Sequence, residues 1–216
     1  MEMTRRDLLK GAAALGAAAA VPLTAGSPAL AQTTQKKELV TAQSGDVSKF
    51  DPHFSTSSND VRVSFNIFDN LVSRHPDGKL YPSLATEWKL EGQTTWRFKL
   101  RQGVKFHNGD PFTSADAKYS IERTYDPGAK TMVATVLATI ERVEAPDPST
   151  LVITTKKPDP LLPARLAFYG GQIIPKKYVE SVGNDAFNTK PVGTGPVRFT
   201  SWVKDDRAVL DASPDY

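Results

Sequence analysis

The fold is decided by the stretch Phe98-Lys99-Leu100-Arg101-Gln102-Gly103-Val104-Lys105-Phe106-His107-Asn108-Gly109 and the residues that lead into it. Upstream, Trp88, Leu90 and Trp96 alternate with polar residues on either side of the turn Glu91-Gly92-Gln93. Alternation with a period of two is typical of a half-buried strand. The sequence therefore predicts an antiparallel hairpin with one face in solvent.

Helical patterns flank this region on both sides. On the N-terminal side, apolar residues recur at spacings of four, three and four: Val61, Phe65, Phe68 and Val72, with Ile67 and Leu71 widening the stripe. Such a stripe predicts an amphipathic helix, which Ser58 or Asn59 can cap. On the C-terminal side, Thr113 followed by Asp116 resembles a capping box, so a second helix is predicted that must end by Pro127-Gly128.

Further elements follow from the same signals. Turns are expected at His75-Pro76-Asp77-Gly78 and at Pro146-Asp147-Pro148-Ser149. Strands are predicted over 38–43, 140–144, 151–155, 172–174, 197–203 and 207–212, and helices over 161–168 and 176–182, with a loop after the last helix. The sequence indicates an α/β protein, of mixed α+β type with antiparallel hairpins.

Composition excludes several classes of function. The 216 residues carry 27 Lys and Arg against 24 Asp and Glu, interleaved along the chain. Without a basic stripe that contains aromatics, no nucleic-acid partner is expected. The absence of cysteine excludes disulfides, thiolate metal sites, a Cys nucleophile and a lipid-anchored N-terminal Cys.

The first thirty-one residues are predicted to be a twin-arginine signal peptide. Arg5 and Arg6 precede a weakly apolar run over 11–23, and Ala29 and Ala31 stand before Gln32 as a cleavage site. The run is shorter than the roughly 20 residues that span a bilayer, so a membrane anchor is the less favoured alternative. We expect export by the twin-arginine translocase, cleavage after Ala31 and a soluble periplasmic product.

Few residues point to catalysis. No Gly-x-Ser-x-Gly elbow occurs, and His53, His75 and His107 lack partners at a metal-site spacing, so structural or surface roles are expected for them. The stretch Gly193-Thr194-Gly195-Pro196 lacks the Gly-Lys-Ser/Thr of a phosphate loop and is interpreted as a rigid turn. Five aromatic residues are expected in the core rather than stacked on a ligand: Trp88, Trp96, Phe98, Phe106 and Tyr119. We predict no enzyme, cofactor or metal.

Four blocks resemble a known family when taken in order. They are Asp51-Pro52-His53, Leu84-Ala85-Thr86-Glu87-Trp88, the opening stretch 98–109, and Pro191-Val192-Gly193-Thr194-Gly195-Pro196. Their order and spacing resemble the dipeptide, oligopeptide and nickel group of solute-binding proteins that serve ABC importers.

The resemblance implies a periplasmic binding protein-like class II fold, with only its first lobe in this chain. It implies a leader over 32–37, a base domain from 38–45 plus 173–216, and an inserted small domain over 46–172. The second lobe is expected to be absent, so that the chain is a fragment of a longer receptor.

The resemblance also implies a function and a site. The chain is expected to be an extracytoplasmic receptor, and a monomer, that captures a small molecule or peptide and delivers it to an inner-membrane ABC permease and ATPase complex. Carried over by position, Thr56 and Ser58 are candidate ligand-binding residues, and Ser44 is a further candidate at the end of the first predicted strand. Di- or oligopeptides are the expected ligand, while nickel chelates, opines, haem, glutathione and oligosaccharides stay open, as do a secreted hydrolase and a receptor that reports to a sensor.

Overall fold

The structure is a computed structural model that describes residues 37–128, 130–168, 170–214 and 216. The chain divides into two compact units, Met1–Thr41 and Ala42–Tyr216. Only residues 37–41 of the first unit are described, so the predicted signal peptide, with Arg5, Arg6, Ala29 and Ala31, lies outside the described residues.

The second unit holds all the regular structure of the described residues. In chain order the elements are α1 (Ser58–Ile67), β1 (Val72–Arg74), β2 (Leu80–Pro82), β3 (Ala85–Glu91), β4 (Thr95–Leu100), α2 (Ser114–Tyr125), β5 (Ile140–Asp147), β6 (Thr150–Thr155), α3 (Leu162–Arg165), α4 (Lys176–Val182), α5 (Asn184–Thr189), β7 (Val197–Val203) and β8 (Arg207–Ala212).

The strands form three antiparallel sheets, which confirms the predicted class. The largest has the order β3-β4-β6-β5, and the other two are the hairpins β1-β2 and β7-β8. Trp88 pairs with Phe98 across β3 and β4, as the alternation predicts. The turn between β5 and β6 is fixed by Asp147, whose Oδ1 accepts hydrogen bonds from Ser149 N at 2.9 Å and Ser149 Oγ at 2.8 Å.

The prediction of a first strand over 38–43 is wrong. These residues form neither helix nor strand, and Leu39 and Val40 are 87% and 83% exposed. A strand is held by ladder hydrogen bonds to a neighbour, and none of the described residues makes such bonds with this segment. Apolar side chains alone therefore do not make it a strand.

The first helix is shorter than its apolar stripe predicts. It ends at Ile67, and Phe68 is already extended, with φ −120° and ψ 138°. The Ile67 carbonyl accepts a hydrogen bond from Gly195 N at 2.9 Å instead of continuing the helix. Leu71 and Val72 are buried as predicted, but in the segment that leads into β1 and at its first residue.

The second helix agrees with its predicted cap. The Asp116 carboxylate accepts hydrogen bonds from Thr113 N and Thr113 Oγ1, both at 2.9 Å, and the helix ends at Tyr125 before Pro127. Helix α3 lies inside the predicted helical stretch, and α4 has the predicted bounds. Two predictions need correction: the strand over 172–174 is a single bridge from Gln172 to Asn70, and α5 occupies part of the expected loop.

Two apolar cores support the fold. The larger lies between the four-stranded sheet, α2 and α3, with Phe98, Ile121 and Leu151 at its centre. The smaller joins α1, α4 and α5 to the hairpin β7-β8 through Phe50 and Phe187. Trp88 and Trp96 pack against the larger core, in which Phe98 and Phe106 are buried, and Tyr119 packs against the smaller, as expected for core aromatics. The predicted domain bounds stay a prediction.

Candidate functional site

The residues predicted to touch a ligand lie at the surface near the start of α1. Ser44, Thr56 and Ser58 are all exposed, and Ser58 is the first residue of the helix. Gly45 lies against the same region, since a methyl group added to it would come within 2.9 Å of Asn59 Nδ2. The structure therefore places the three candidates around one helix start, without itself identifying a ligand.

Ser58 is not the helix cap. The N-cap is Ser57, in extended conformation with φ −60° and ψ 134°, and its side chain makes no capping hydrogen bond. The predicted cap at Ser58 or Asn59 is therefore wrong by one or two residues. The Thr56 and Ser58 hydroxyls have no protein hydrogen-bond partner in the described part of the chain, so both are available to an external group.

A buried ion pair lies beneath this surface. Arg123 Nη2 is 2.6 Å from Asp51 Oδ2, and Arg123 Nη1 is 3.0 Å from Asp51 Oδ1. The two side chains are only 6% and 1% exposed. A bidentate pair of this kind fixes orientation as well as position, because the planar guanidinium matches the carboxylate. It ties the segment 51–57 to the last turn of α2.

His53 completes the buried group. Its Nδ1 lies 2.9 Å from Arg123 Nη1 and its Nε2 lies 3.0 Å from the Gln172 carbonyl. Since Arg123 can only donate, Nδ1 accepts and Nε2 carries the proton that is donated to the carbonyl. The pKa of His53 is lowered to about 4, mainly by burial and also by the Arg123 charge, against the opposing effects of Asp51 and of the hydrogen bond to the Gln172 carbonyl. The ring is therefore neutral at neutral pH.

Asp60 anchors the segment from the other side. Its carboxylate accepts hydrogen bonds from Ser48 N and Ser48 Oγ, each at 2.7 Å, and from Ser55 Oγ at 2.5 Å. Asn188 Oδ1 adds bonds from Phe50 N at 3.0 Å and Asp51 N at 3.1 Å. The segment has no regular structure, yet its backbone is held at many points. Thr56 is thus an exposed residue on a rigid support.

The glycine-rich turn packs at the other end of α1. Gly193 and Gly195 both approach the helix end so closely that an added methyl group would lie 2.0 Å and 2.8 Å from Ile67 O. His107 holds the turn: Gly193 N donates to Nδ1 at 3.3 Å, and Nε2 lies 2.9 Å from Gly195 O. This arrangement agrees with the predicted rigid turn and with structural roles for His53 and His107. His75 stacks on Tyr81 at the surface.

Sequence reasoning missed Arg123 as the partner of Asp51. On α2, the polar residues Asp116, Ser120 and Arg123 recur at i, i+4 and i+7 and are all buried. Ser120 accepts a hydrogen bond from Ile174 N at 2.9 Å, and Asp116 accepts one from Lys176 N at 3.1 Å. This polar stripe was the sequence signal for a buried polar face, but a solvent-exposed helix face has the same pattern.

The described residues contain neither a metal-ligand cluster nor a membrane-spanning helix. Among the described residues, no group of three or more His, Cys, Asp or Glu side chains could hold a metal ion. In the same part of the chain, no helix is both long and apolar enough to cross a bilayer. The surface around the start of α1 presents the exposed hydroxyls of Ser44, Thr56 and Ser58.

Two known sequence families match parts of the chain. Residues 79–216 match the family described as bacterial extracellular solute-binding proteins, family 5 Middle. Residues 2–22 match the twin-arginine translocation pathway signal sequence. The match to the family covers well over half of the chain.

Three individual proteins illustrate the similarity. The periplasmic oligopeptide-binding protein OppA of Escherichia coli K12 is 29% identical over 99% of this chain and 43% of its own length. The structure of MoaA from A. tumefaciens R10, in complex with mannopinic acid, has a TM-score of 0.75 and 34% identity over 80% of this chain and 36% of its own. NikZ from Campylobacter jejuni, in complex with Ni(L-His), has a TM-score of 0.71 and 29% identity over 78% and 34%.

The family that matches most of the chain is one of extracellular solute-binding proteins. The chain belongs to family 5 of the bacterial extracellular solute-binding proteins. It spans about two fifths of the length of the curated relatives it matches. The twin-arginine signal and the family place it in the periplasm.

Proposed function

We propose that the protein is the solute-binding receptor of an ABC importer and that its cargo is a di- or oligopeptide. The observation that carries this proposal is the exposed Thr56 and Ser58 on a segment fixed by the Arg123–Asp51 pair and by Asp60. A surface ordered before the ligand arrives loses little conformational entropy on binding. Peptide is the favoured cargo because OppA is named for oligopeptides.

The mechanism follows from a difference in affinity between two states. A ligand that contacts this surface and a second surface at once stabilises the closed arrangement over the open one. The permease and ATPase complex would then respond to closure. No bond in the cargo is made or broken, and we propose that the protein has no hydrolytic activity and acts as a monomer.

Cargoes other than peptides stay open because proteins similar to this chain bind different solutes. The relatives include proteins crystallised with mannopinic acid and with Ni(L-His), so the family holds more than one class of solute. Function resides in the pocket rather than in the fold. Nickel chelates and opines are therefore the next candidates after peptides.

A ligand screen tests the proposal. The full-length protein that the gene encodes is used for isothermal titration calorimetry. The ligands are di- to nonapeptides, an opine and a nickel–histidine chelate. We expect saturable binding of a peptide and, at a hundredfold excess over Kd, stabilisation by about 2.7 kcal/mol. Failure of every solute to bind or to raise Tm would contradict a binding role.

Two variants locate the site. Thr56→Val and Ser58→Ala remove the exposed hydroxyls and are expected to weaken cargo binding, by up to about tenfold each if the hydroxyl bonds the ligand. Ser181→Ala is the matched control, since Ser181 is an exposed serine of α4 whose Oγ donates to Tyr178 O at 2.7 Å. Equal affinity in all three variants would show that the ligand does not contact Thr56 or Ser58.

Two further measurements test the remaining parts of the proposal. Assays with chromogenic esters, peptides and glycosides test whether the protein has hydrolytic activity, and light scattering tests whether it is a monomer.

A further inference from the structure

A cavity lies at the opposite end of α1 from Ser58. It has a volume of about 980 Å³ and lies among the end of that helix, the hairpin β1-β2, the segment 101–107 and the residues 194–198. Helix α1 has ten residues and is therefore about 15 Å long, which separates the cavity from the start of the helix. We call it the basic cavity.

Its charge is strongly unbalanced. Among the described residues that line it, four are cationic, Arg74, Arg101, Lys105 and Arg198, and one is a carboxylate, Asp69. None of the four makes an ion pair within the described ranges. Within the described part of the chain, the hydrogen bond of Arg101 is donated by its Nε to Ser83 O at 3.1 Å, which leaves its two terminal nitrogens for another group. Clustered cations without counter-ions attract an anion to a concave surface.

The one carboxylate does not neutralise them. Asp69 Oδ2 accepts a hydrogen bond from Thr194 Oγ1 at 2.9 Å. Burial raises the pKa of Asp69, against the opposing effects of Thr194 and the nearby Tyr216, His107 and Arg101. Since one acidic group faces four cations among the described lining residues, their summed charge is positive.

The walls are partly apolar. Phe65 is 39% exposed and Tyr216 71% exposed at the edge of the cavity, and Val104 is partly buried in its lining. The volume is also in the range of pockets that hold whole small molecules rather than single ions. A ligand that matches both features has an anionic group for the arginines and an apolar body for the rings.

We propose that the basic cavity binds an organic anion, a carboxylate-bearing small molecule, with Arg101 and Arg198 holding the carboxylate. Guanidinium groups match carboxylates through paired N–H donors. Phe65 and Tyr216 cover the apolar part. The site is independent of the surface that carries Thr56 and Ser58, so it does not rest on the proposed cargo.

Calorimetry at low ionic strength tests the proposal with three probes: phenylacetate, succinate and inorganic phosphate. We expect both carboxylates to bind saturably, phenylacetate to bind more tightly than phosphate, and added salt to weaken all three. The double variant R101Q/R198Q is expected to lower the affinity for phenylacetate at least tenfold. Arg142→Gln is the control, because Arg142 is an exposed arginine of β5 outside the cavity.

Several results would overturn the proposal. They are the absence of saturable binding for both carboxylates, tighter binding of phosphate than of phenylacetate, and equal affinity of the double variant and the parent. If the double variant does not fold, the NMR signals of the arginine side chains in the parent replace it. Phenylacetate must then shift the Arg101 and Arg198 signals and leave that of Arg142 unchanged; the reverse pattern refutes the site.

Discussion

Arg123 and Asp51 stand 72 positions apart in the chain and face each other through two hydrogen bonds of 2.6 Å and 3.0 Å. The same guanidinium lies 4.9 Å from the centre of the Phe54 ring and donates to Asn184 Oδ1 at 2.9 Å. One side chain of α2 therefore contacts both ends of the segment 51–54 and the start of α5.

Removing one partner of this pair is expected to destabilise the protein strongly. Asp51→Asn leaves a buried guanidinium without its counter-charge, for which the expected loss is about 3–5 kcal/mol. Urea denaturation measures it. Glu144→Gln is the control, since it removes an exposed ion pair with Arg142 and should cost under about 1 kcal/mol. Similar losses in the two variants would mean that the buried pair has no special role.

His53 makes stability depend on pH. Its pKa is about 4 in the folded state and about 6.5 when unfolded, so between these values the unfolded chain binds the extra proton. Stability therefore falls as pH drops from 6.5 to 4, by up to about 3 kcal/mol for this group. His53→Gln keeps an acceptor and a donor but does not titrate.

The measurement compares unfolding free energies of the parent and His53→Gln between pH 7 and pH 4. The variant is expected to lose less stability over this interval than the parent. Carboxylates titrate in both proteins, so only the difference between the two slopes reports on His53. Identical slopes would show that the ring is not held neutral in the folded state.

The glycine-rich turn predicts a steric effect. In Gly193→Ala the new methyl group would lie 2.0 Å from Ile67 O and 2.8 Å from Phe68 Cδ1, so backbone must move. Overpacking of this kind costs about 1–3 kcal/mol or more. Gly128→Ala is the control, because its methyl group would meet only the exposed Asp126 side chain, at 3.3 Å. A thermal melt that ranks the control below Gly193→Ala would contradict this packing.

Export should depend on the arginine pair. Replacing Arg5 and Arg6 by lysine keeps the charge but removes the residues that the twin-arginine pathway recognises. We expect the precursor to remain in the cytoplasm, whereas Lys10→Gln should still be exported. Fractionation followed by intact-mass analysis checks both points, and a mature chain that begins at Gln32 would place the cleavage after Ala31.

Local signals in the sequence predicted most of the elements. The alternation around Gly92, the Thr113–Asp116 cap and the final hairpin each involve residues close in the chain, and each formed as expected. The predicted end of the first helix was wrong, because a contact with a distant part of the chain overrides the local apolar pattern there. The apolar stripe through Val72 continues past Ile67, but Gly195 takes the Ile67 carbonyl and the helix ends there.

The candidate site was only partly predictable. Family resemblance pointed to Thr56 and Ser58, and both are exposed. No local sequence pattern predicts the buried Arg123–Asp51 pair that supports their segment. Arg123 is buried only because Asp51 and His53 meet it from a remote part of the chain. Spacing along one helix cannot distinguish a polar face that meets water from one that meets a buried carboxylate.

The separation between Thr56 and its support also bears on how new specificities arise. The groups that hold the segment, Asp60 and Asn188 among them, bond its backbone or neighbouring serines, not the Thr56 side chain. With Thr56 in the proposed ligand-binding role, a mutation there would alter what is recognised without loosening the scaffold. A receptor built this way could change its ligand through a single substitution, because the residue that contacts the ligand and the residues that stabilise the segment are different.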